Sequence, residues 1–298
     1  MVKIEKKEYK GWKNCISITN GLVDLIATTD VGPRVIYFGL SGKCNEFCEV
    51  EDQVGTSGSD EWKVYGGHRL WHSPENLPRT YQPDNSPIEW KEKENGIILI
   101  QPVESMTGIQ KEMEITMSPD KAKATVLHRL TNKGIWPVEL AAWAVTVMAP
   151  GGKEIMPQIT KDTGYLPNRA VSLWPYTKLN DPRVCWGEKY ITLQQDTNAS
   201  EAFKLGICME DGWAGYCNNG HLFIKQYEHY DDELYPDLGV SYESYTCDYM
   251  TEMETLSPLV VLDLDESVEH TETWSLYDNV RMPANEKEIE EFIIPLVK

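Results

Sequence analysis

The densest set of side chains able to do chemistry is Tyr65-Gly66-Gly67-His68-Arg69-Leu70-Trp71-His72-Ser73-Pro74-Glu75. His68 and His72 can move protons near neutral pH. Arg69 offers a planar fork of donors to hydroxyl or carboxylate oxygens. Trp71 offers an apolar face, and the glycine pair permits tight turns or close approach of backbone to a ligand. A flat aromatic beneath polar groups is what a sugar ring requires, because one of its faces is C–H and its rim is hydroxyl.

A second set is Tyr249-Met250-Thr251-Glu252-Met253-Glu254-Thr255-Leu256-Ser257-Pro258. On a strand, Glu252 and Glu254 share a face. A carboxyl enclosed by apolar neighbours has a raised pKa and makes a general acid or base. A third set, Tyr165-Leu166-Pro167-Asn168-Arg169 with Leu173-Trp174-Pro175-Tyr176, adds Arg169 and Trp174, and Lys225 beside His229 and Tyr230 extends the polar lining.

These groups need a scaffold, and the pattern predicts strands. Asn20-Gly21 reads as a hairpin turn. Ile109, Met113, Ile115 and Met117 alternate with polar residues, Val138 to Ala149 is nearly continuously apolar, and further strands are expected at Lys204–Met209, His221–Gln226, Tyr245–Thr255, Leu259–Leu262 and Ser267–Tyr277. Residues 51–86 and 157–190, rich in Gly, Pro and aromatics, read as two long ordered loops. Asn285 caps one expected helix, with Glu288 three residues on and Ile289, Phe292 and Ile293 on one face. The expectation is a single all-β domain over residues 1–298, a large antiparallel sandwich.

Composition narrows the function classes. Lys and Arg number 28 against 47 Asp and Glu, a net charge of −19. That argues against nucleic acid and against anionic membrane, both of which need clustered positive charge. The start, MVKIEKKEYKGWK, has no apolar signal segment, and no apolar run is long enough to span a bilayer, so a cytoplasmic protein is expected. Seven scattered cysteines read as free thiols, and Cys44 and Cys48 lack a second pair at zinc spacing. The dinucleotide, phosphate-loop, HExxH and GxSxG motifs are absent. No metal and no cofactor are expected.

The order of these segments resembles the galactose mutarotase-like superfamily of aldose 1-epimerases and relatives, and more closely a bacterial branch of it. The resemblance covers residues 15–278. It rests on the GGHRLW segment, Ala149-Pro150-Gly151-Gly152, the Met253-Glu254-Thr255 strand before Pro258-Leu259, and Ser267 to Trp274. It implies a β-supersandwich with long loops, a short C-terminal helix and a sugar site in a groove on one sheet. In aldose 1-epimerases a glutamate in an L-E-T motif takes the anomeric hydroxyl proton while a histidine protonates the ring oxygen. The motif falls on Glu254, and Arg69 matches a site arginine. The strand at 140–146, where the family carries its acid histidine, has Trp143 or Thr146 in that place; either the acid comes from elsewhere, with His68 and His72 as candidates, or mutarotation is not the reaction.

The leading expectation is therefore an aldose-epimerase-like isomerase acting on a small-molecule carbohydrate. Glu254, His68 and His72 would be catalytic, with Arg69, Trp71, Trp143, Arg169, Trp174 and Lys225 around the substrate. A non-catalytic carbohydrate-binding protein on the same scaffold is the alternative. A glycoside hydrolase or lyase is the third reading, pairing Glu254 with Glu75 or Asp237 across about 5–10 Å.

Overall fold

The computed structural model describes residues 1–297. They form strands β1 (Lys3–Tyr9), β2 (Trp12–Thr19), β3 (Val23–Thr28), β4 (Arg34–Leu40), β5 (Gly67–Ser73), β6 (Glu89–Lys93), β7 (Gly96–Ile100), β8 (Ile109–Met117), β9 (Lys123–Asn132), β10 (Val138–Met148) and β11 (Lys153–Pro157). The second half adds β12 (Val171–Leu173), β13 (Val184–Trp186), β14 (Tyr190–Gln194), β15 (Phe203–Ile207), β16 (Trp213–Asn218), β17 (His221–Tyr227), β18 (Tyr242–Thr246), β19 (Thr251–Leu256), β20 (Val260–Leu262) and β21 (Ser267–Tyr277). One sheet runs β1-β2-β3-β4-β5-β10-β19-β18-β15-β12, with β20 added beside β10. The other runs β13-β14-β11-β16-β17-β21-β9-β8-β7-β6, and neighbouring strands in both sheets run antiparallel.

Alternation builds the core. Along β8, Ile109, Lys111, Met113, Ile115 and Met117 are buried and the residues between them half-buried. Ile109, Met113, Ile115 and Met117 meet Phe38, Leu70, Ala142 and Met253 of the facing sheet in one apolar cluster, while Lys111 pairs with Glu104. The C-terminus winds into a short helical segment, Glu286–Val297, whose first turn is capped by Asn285 Oδ1 accepting from the Glu288 backbone N–H at 3.1 Å. Ile289 and Ile293 pack there against Tyr190 and Trp213. Among the described residues no helix is long and apolar enough to cross a membrane.

Two expectations need correction. Residues 67–73 lie not in a loop but in β5, the strand beside β10. His, Arg and Ser hid the strand, yet Leu70 and Trp71 face opposite sides and every residue of β5 is buried. The stretch 245–255 is two strands, β18 and β19, because Cys247–Met250 makes the turn between them.

The core is not wholly dry. His68 Nδ1 meets Thr146 Oγ1 at 2.8 Å and its Nε2 meets His128 Nε2 at 2.7 Å. Thr255 Oγ1 lies 2.7 Å from His270 Nε2. Glu272 pairs with Lys225 Nζ at 2.9 Å and accepts from the Trp274 indole at 2.7 Å. Burial alone would raise the Glu272 carboxyl, but Lys225 holds it well below the usual range. Burial pushes all three imidazoles down, so they sit neutral. A buried pair with one partner removed leaves an uncompensated charge. Lys225→Met is thus expected to lower stability by about 3–5 kcal/mol in urea unfolding. Adding Glu272→Gln, which keeps an acceptor for Trp274 and removes the charge, is expected to recover a large part of that loss.

Candidate functional site

Strand parity sorts the predicted residues onto two faces. On β5, His68, Leu70 and His72 point between the sheets, while Arg69 and Trp71 point to the outer face. On β10, Trp143 and Val145 share that outer face, opposite Trp71 and Arg69 in register. Across β19 and β18 the register then sets Val145 against Glu254 and Glu254 against Glu243. One residue pair along, Glu252 stands against Tyr245, and Tyr245 against Lys204 of β15.

Two glutamates facing each other on neighbouring strands repel. Lys204 resolves this. Its ammonium lies 2.7 Å from Glu243 and 3.0 Å from Glu254, and sits over the rings of Trp143 at 4.8 Å and Trp174 at 4.6 Å. Burial lowers a lysine pKa, but the two carboxyls outweigh it and hold Lys204 charged. Burial, with Glu254 opposite, pushes the Glu243 carboxyl well up against the pull of Lys204. Glu254 Oε2 accepts from Lys204 Nζ and, at 2.8 Å, from Trp143 Nε1.

Above this floor lies a cavity of about 250 Å³, walled by Trp62, Trp71, Tyr81, Trp143, Tyr176 and Tyr245, with Glu75, Lys204 and Glu252 as its ionisable groups. Trp71 packs edge-on against Trp143 (ring centroids 5.1 Å apart) and against Tyr81 (5.3 Å). The volume falls below the ~300–1,000 Å³ of drug-sized sites, which suits one monosaccharide ring. Burial, then Glu254, raises the Glu252 carboxyl to about 8, against the opposing pull of Lys204 and Arg69. At neutral pH Glu252 is therefore mostly a carboxylic acid, able to give a proton. At the rim, Tyr81 donates its hydroxyl to Glu75. A larger, more open groove of about 740 Å³, lined by Lys10, Phe47, Glu49, Val50 and Pro150, adjoins the cavity at Tyr249, which lines both.

Several predicted residues lie elsewhere. His68 belongs to the interior network, and His72 faces the other sheet 3.7 Å from Glu104. Neither lines the cavity, because both have the parity of Leu70. Lys225 is spent between the sheets on Glu272 and the Met253 carbonyl. Arg169 is exposed on its loop and ties the Ile159 and Glu188 carbonyls. Arg69 backs the wall rather than lining it. Its guanidinium lies 5.1 Å from the Trp62 ring and 4.9 Å from the Trp71 ring, donates to the Lys63 and Val64 carbonyls, and is pulled down by burial and by Arg34. The glycine pair answers to packing: a Cβ at Gly66 would lie 2.0 Å from the Cys48 carbonyl oxygen, and one at Gly67 2.2 Å from that of Val35.

Trp71, Trp143, Trp174 and Glu254 do gather around the cavity and its floor. Sequence reasoning missed Lys204, Glu243, Tyr81 and Trp62. The only signal for Lys204 was a lysine inside an otherwise apolar strand.

Neither a family model nor a curated protein matches this sequence. Solved structures do. A galactose mutarotase-like protein from Lactobacillus casei ATCC 334 superposes at TM-score 0.59 with 9% identity, covering 89% of this chain and 100% of that one. One from Clostridium acetobutylicum gives 0.55 with 11% identity, over 93% and 98%. A TPR-domain containing protein from Parabacteroides distasonis ATCC 8503 gives 0.60 with 14% identity over 91% of this chain and 49% of that one, so the chain spans about half that protein's length. The chain has the galactose mutarotase-like fold, an all-β sandwich ending in a short helix.

Proposed function

We propose that the aromatic cavity binds a pyranose sugar and that the chain interconverts its anomers, as an aldose 1-epimerase-like isomerase. The observation that carries this reading is the enclosure of Glu252, a carboxyl raised to about 8, among three tryptophans and beside the Lys204 ammonium. The resemblance of the fold to galactose mutarotase-like proteins supports a sugar as the ligand.

In this reading Glu252 gives its proton to the ring oxygen as the C1–O5 bond breaks. A carboxylate takes the anomeric hydroxyl proton, and the C1–O1 bond becomes a carbonyl. Rotation about C1–C2 and the reverse proton transfers then close the ring on the other face. Glu75, exposed at the rim and oriented by Tyr81, serves as that base. Glu254 anchors Lys204 rather than meeting the sugar, since it is 1% exposed and its Oε2 already has two donors. The catalytic carboxyl thus moves two residues along the same face, from Glu254 to Glu252.

A second reading, sugar binding without turnover, draws support from Trp143. An indole stands where the resemblance places an acid histidine, and it cannot deliver a proton at neutral pH. Anomer exchange followed by NMR on a panel of aldoses and uronates separates the two. Epimerisation predicts faster exchange for at least one sugar, slowed by about 10²–10⁴-fold in Glu252→Gln. Because the acid form is the active one, kcat/KM, which reports the free protein, should fall about tenfold per unit above pH 8. Binding with no acceleration at any pH would instead establish the second reading.

Tyr176 is 46% exposed at the lip of the cavity, so its removal leaves the fold intact. Tyr176→Ala is expected to raise the Kd for the sugar roughly 2–12-fold, the worth of one aromatic contact, with an unchanged circular dichroism spectrum.

A further inference from the structure

Away from the cavity, a second cluster joins the two sheets. Cys44 and Glu46 follow β4 in one sheet, and His221 opens β17 in the other. His221 Nδ1 lies 2.6 Å from Glu46 Oε1 and 4.0 Å from Cys44 Sγ, and the three ligand atoms all fall within 4.8 Å of one another. Asp278 Oδ1 stands 3.7 Å from His221 Nε2, on the far side of the ring.

The backbone holds these groups in place. Asn45, between Cys44 and Glu46, accepts from the Phe38 and Phe47 amides and donates to the Ile36 carbonyl. His221 leaves a two-residue hairpin turn with Asn219 and Gly220 both at positive φ (52° and 78°). Glu46 and His221 are buried and Cys44 is exposed, so the cluster opens to solvent on the thiol side only.

We propose that Cys44, Glu46 and His221 form a binding site for a thiophilic divalent ion of the zinc class. One thiolate, one imidazole and one carboxylate are ligand types zinc accepts, at about 2.3, 2.0–2.1 and 2.0–2.2 Å. Tetrahedral geometry at those lengths sets ligand atoms roughly 3.3–3.8 Å apart. The cluster reaches this if the Glu46–His221 contact opens and the Cys44 thiol closes in, each by roughly 1 Å. The ion replaces the thiol proton and the proton shared by Glu46 and His221. Asp278, held by Lys43 at 2.8 Å, stands 3.7 Å behind the outer nitrogen, on the side where carboxylates back metal-bound histidines. Sequence spacing hid the site, since His221 lies far along the chain from Cys44.

The test uses the whole chain, reduced and stripped with a chelator, then titrated with Co²⁺ and Zn²⁺. The expected result is one Co²⁺ per chain with a thiolate-to-cobalt charge-transfer band and tetrahedral visible bands, and a melting temperature that rises with Zn²⁺. Cys44→Ser, at an exposed position, should keep the native circular dichroism. It should lose the charge-transfer band and the melting shift, and weaken Zn²⁺ binding beyond the roughly 10–100-fold that losing an outer partner costs. His221→Gln should lose the tetrahedral bands. Absence of a thiolate band in the wild-type protein, or an equal band in Cys44→Ser, would overturn the proposal.

Discussion

The floor of the cavity depends on one ammonium. Lys204 lies between Glu243 and Glu254, two buried carboxyls that strand register forces to face each other. Without a cation there, the outer face of β18 and β19 would hold acidic groups that water cannot reach, at a cost of several kcal/mol. With it, Glu254 is fixed, the Trp143 indole is drawn onto its carboxylate, and Trp143 in turn sets Trp71 edge-on beside it. The aromatic wall and the enclosed Glu252 follow from that arrangement.

The same strands keep a second charged system on their other face. His68, Thr146 and Thr255 point inward to His128, His270 and Glu272, while Arg69, Val145 and Glu254 point outward. The inner network is closed, each charge having a partner from the facing sheet. The outer one keeps its ionisable groups at a cavity, with Glu252 half-buried and poised to exchange a proton near neutral pH. The two differ in access to solvent and in that, among the described residues, no ion pair holds Glu252.

Much of this was legible in the chain. The all-β sandwich, the 11-residue final strand and the Asn285-capped helix follow from alternation, turn residues and capping chemistry. The shared face of Glu252 and Glu254 follows from the period of a strand. What misled was polarity. The run Gly67-His68-Arg69-Leu70-Trp71-His72 looks like a loop because buried strands are usually apolar, and this one buries its histidines in a network supplied by the other sheet. That network joins residues some 60 to 140 positions apart, which no local pattern encodes. For the same reason His68 and His72 looked available for catalysis when parity turns them away from the cavity. Lys204 and Lys225 are both lysines in apolar strands, and only the fold separates the one beneath the cavity from the one in the core.

In the proposed function a sugar ring sits against Trp62, Trp71 and Trp143, which line the cavity. The most direct measurement follows the indole N–H signals in ¹⁵N-labelled protein, assigned with single Trp→Phe variants, during titration with aldopyranoses. Saturable shifts of those three signals are expected, with Trp12 and Trp274, buried in other parts of the core, unmoved. A sugar that binds and shifts other indoles, or a panel in which no sugar moves these three, would contradict it.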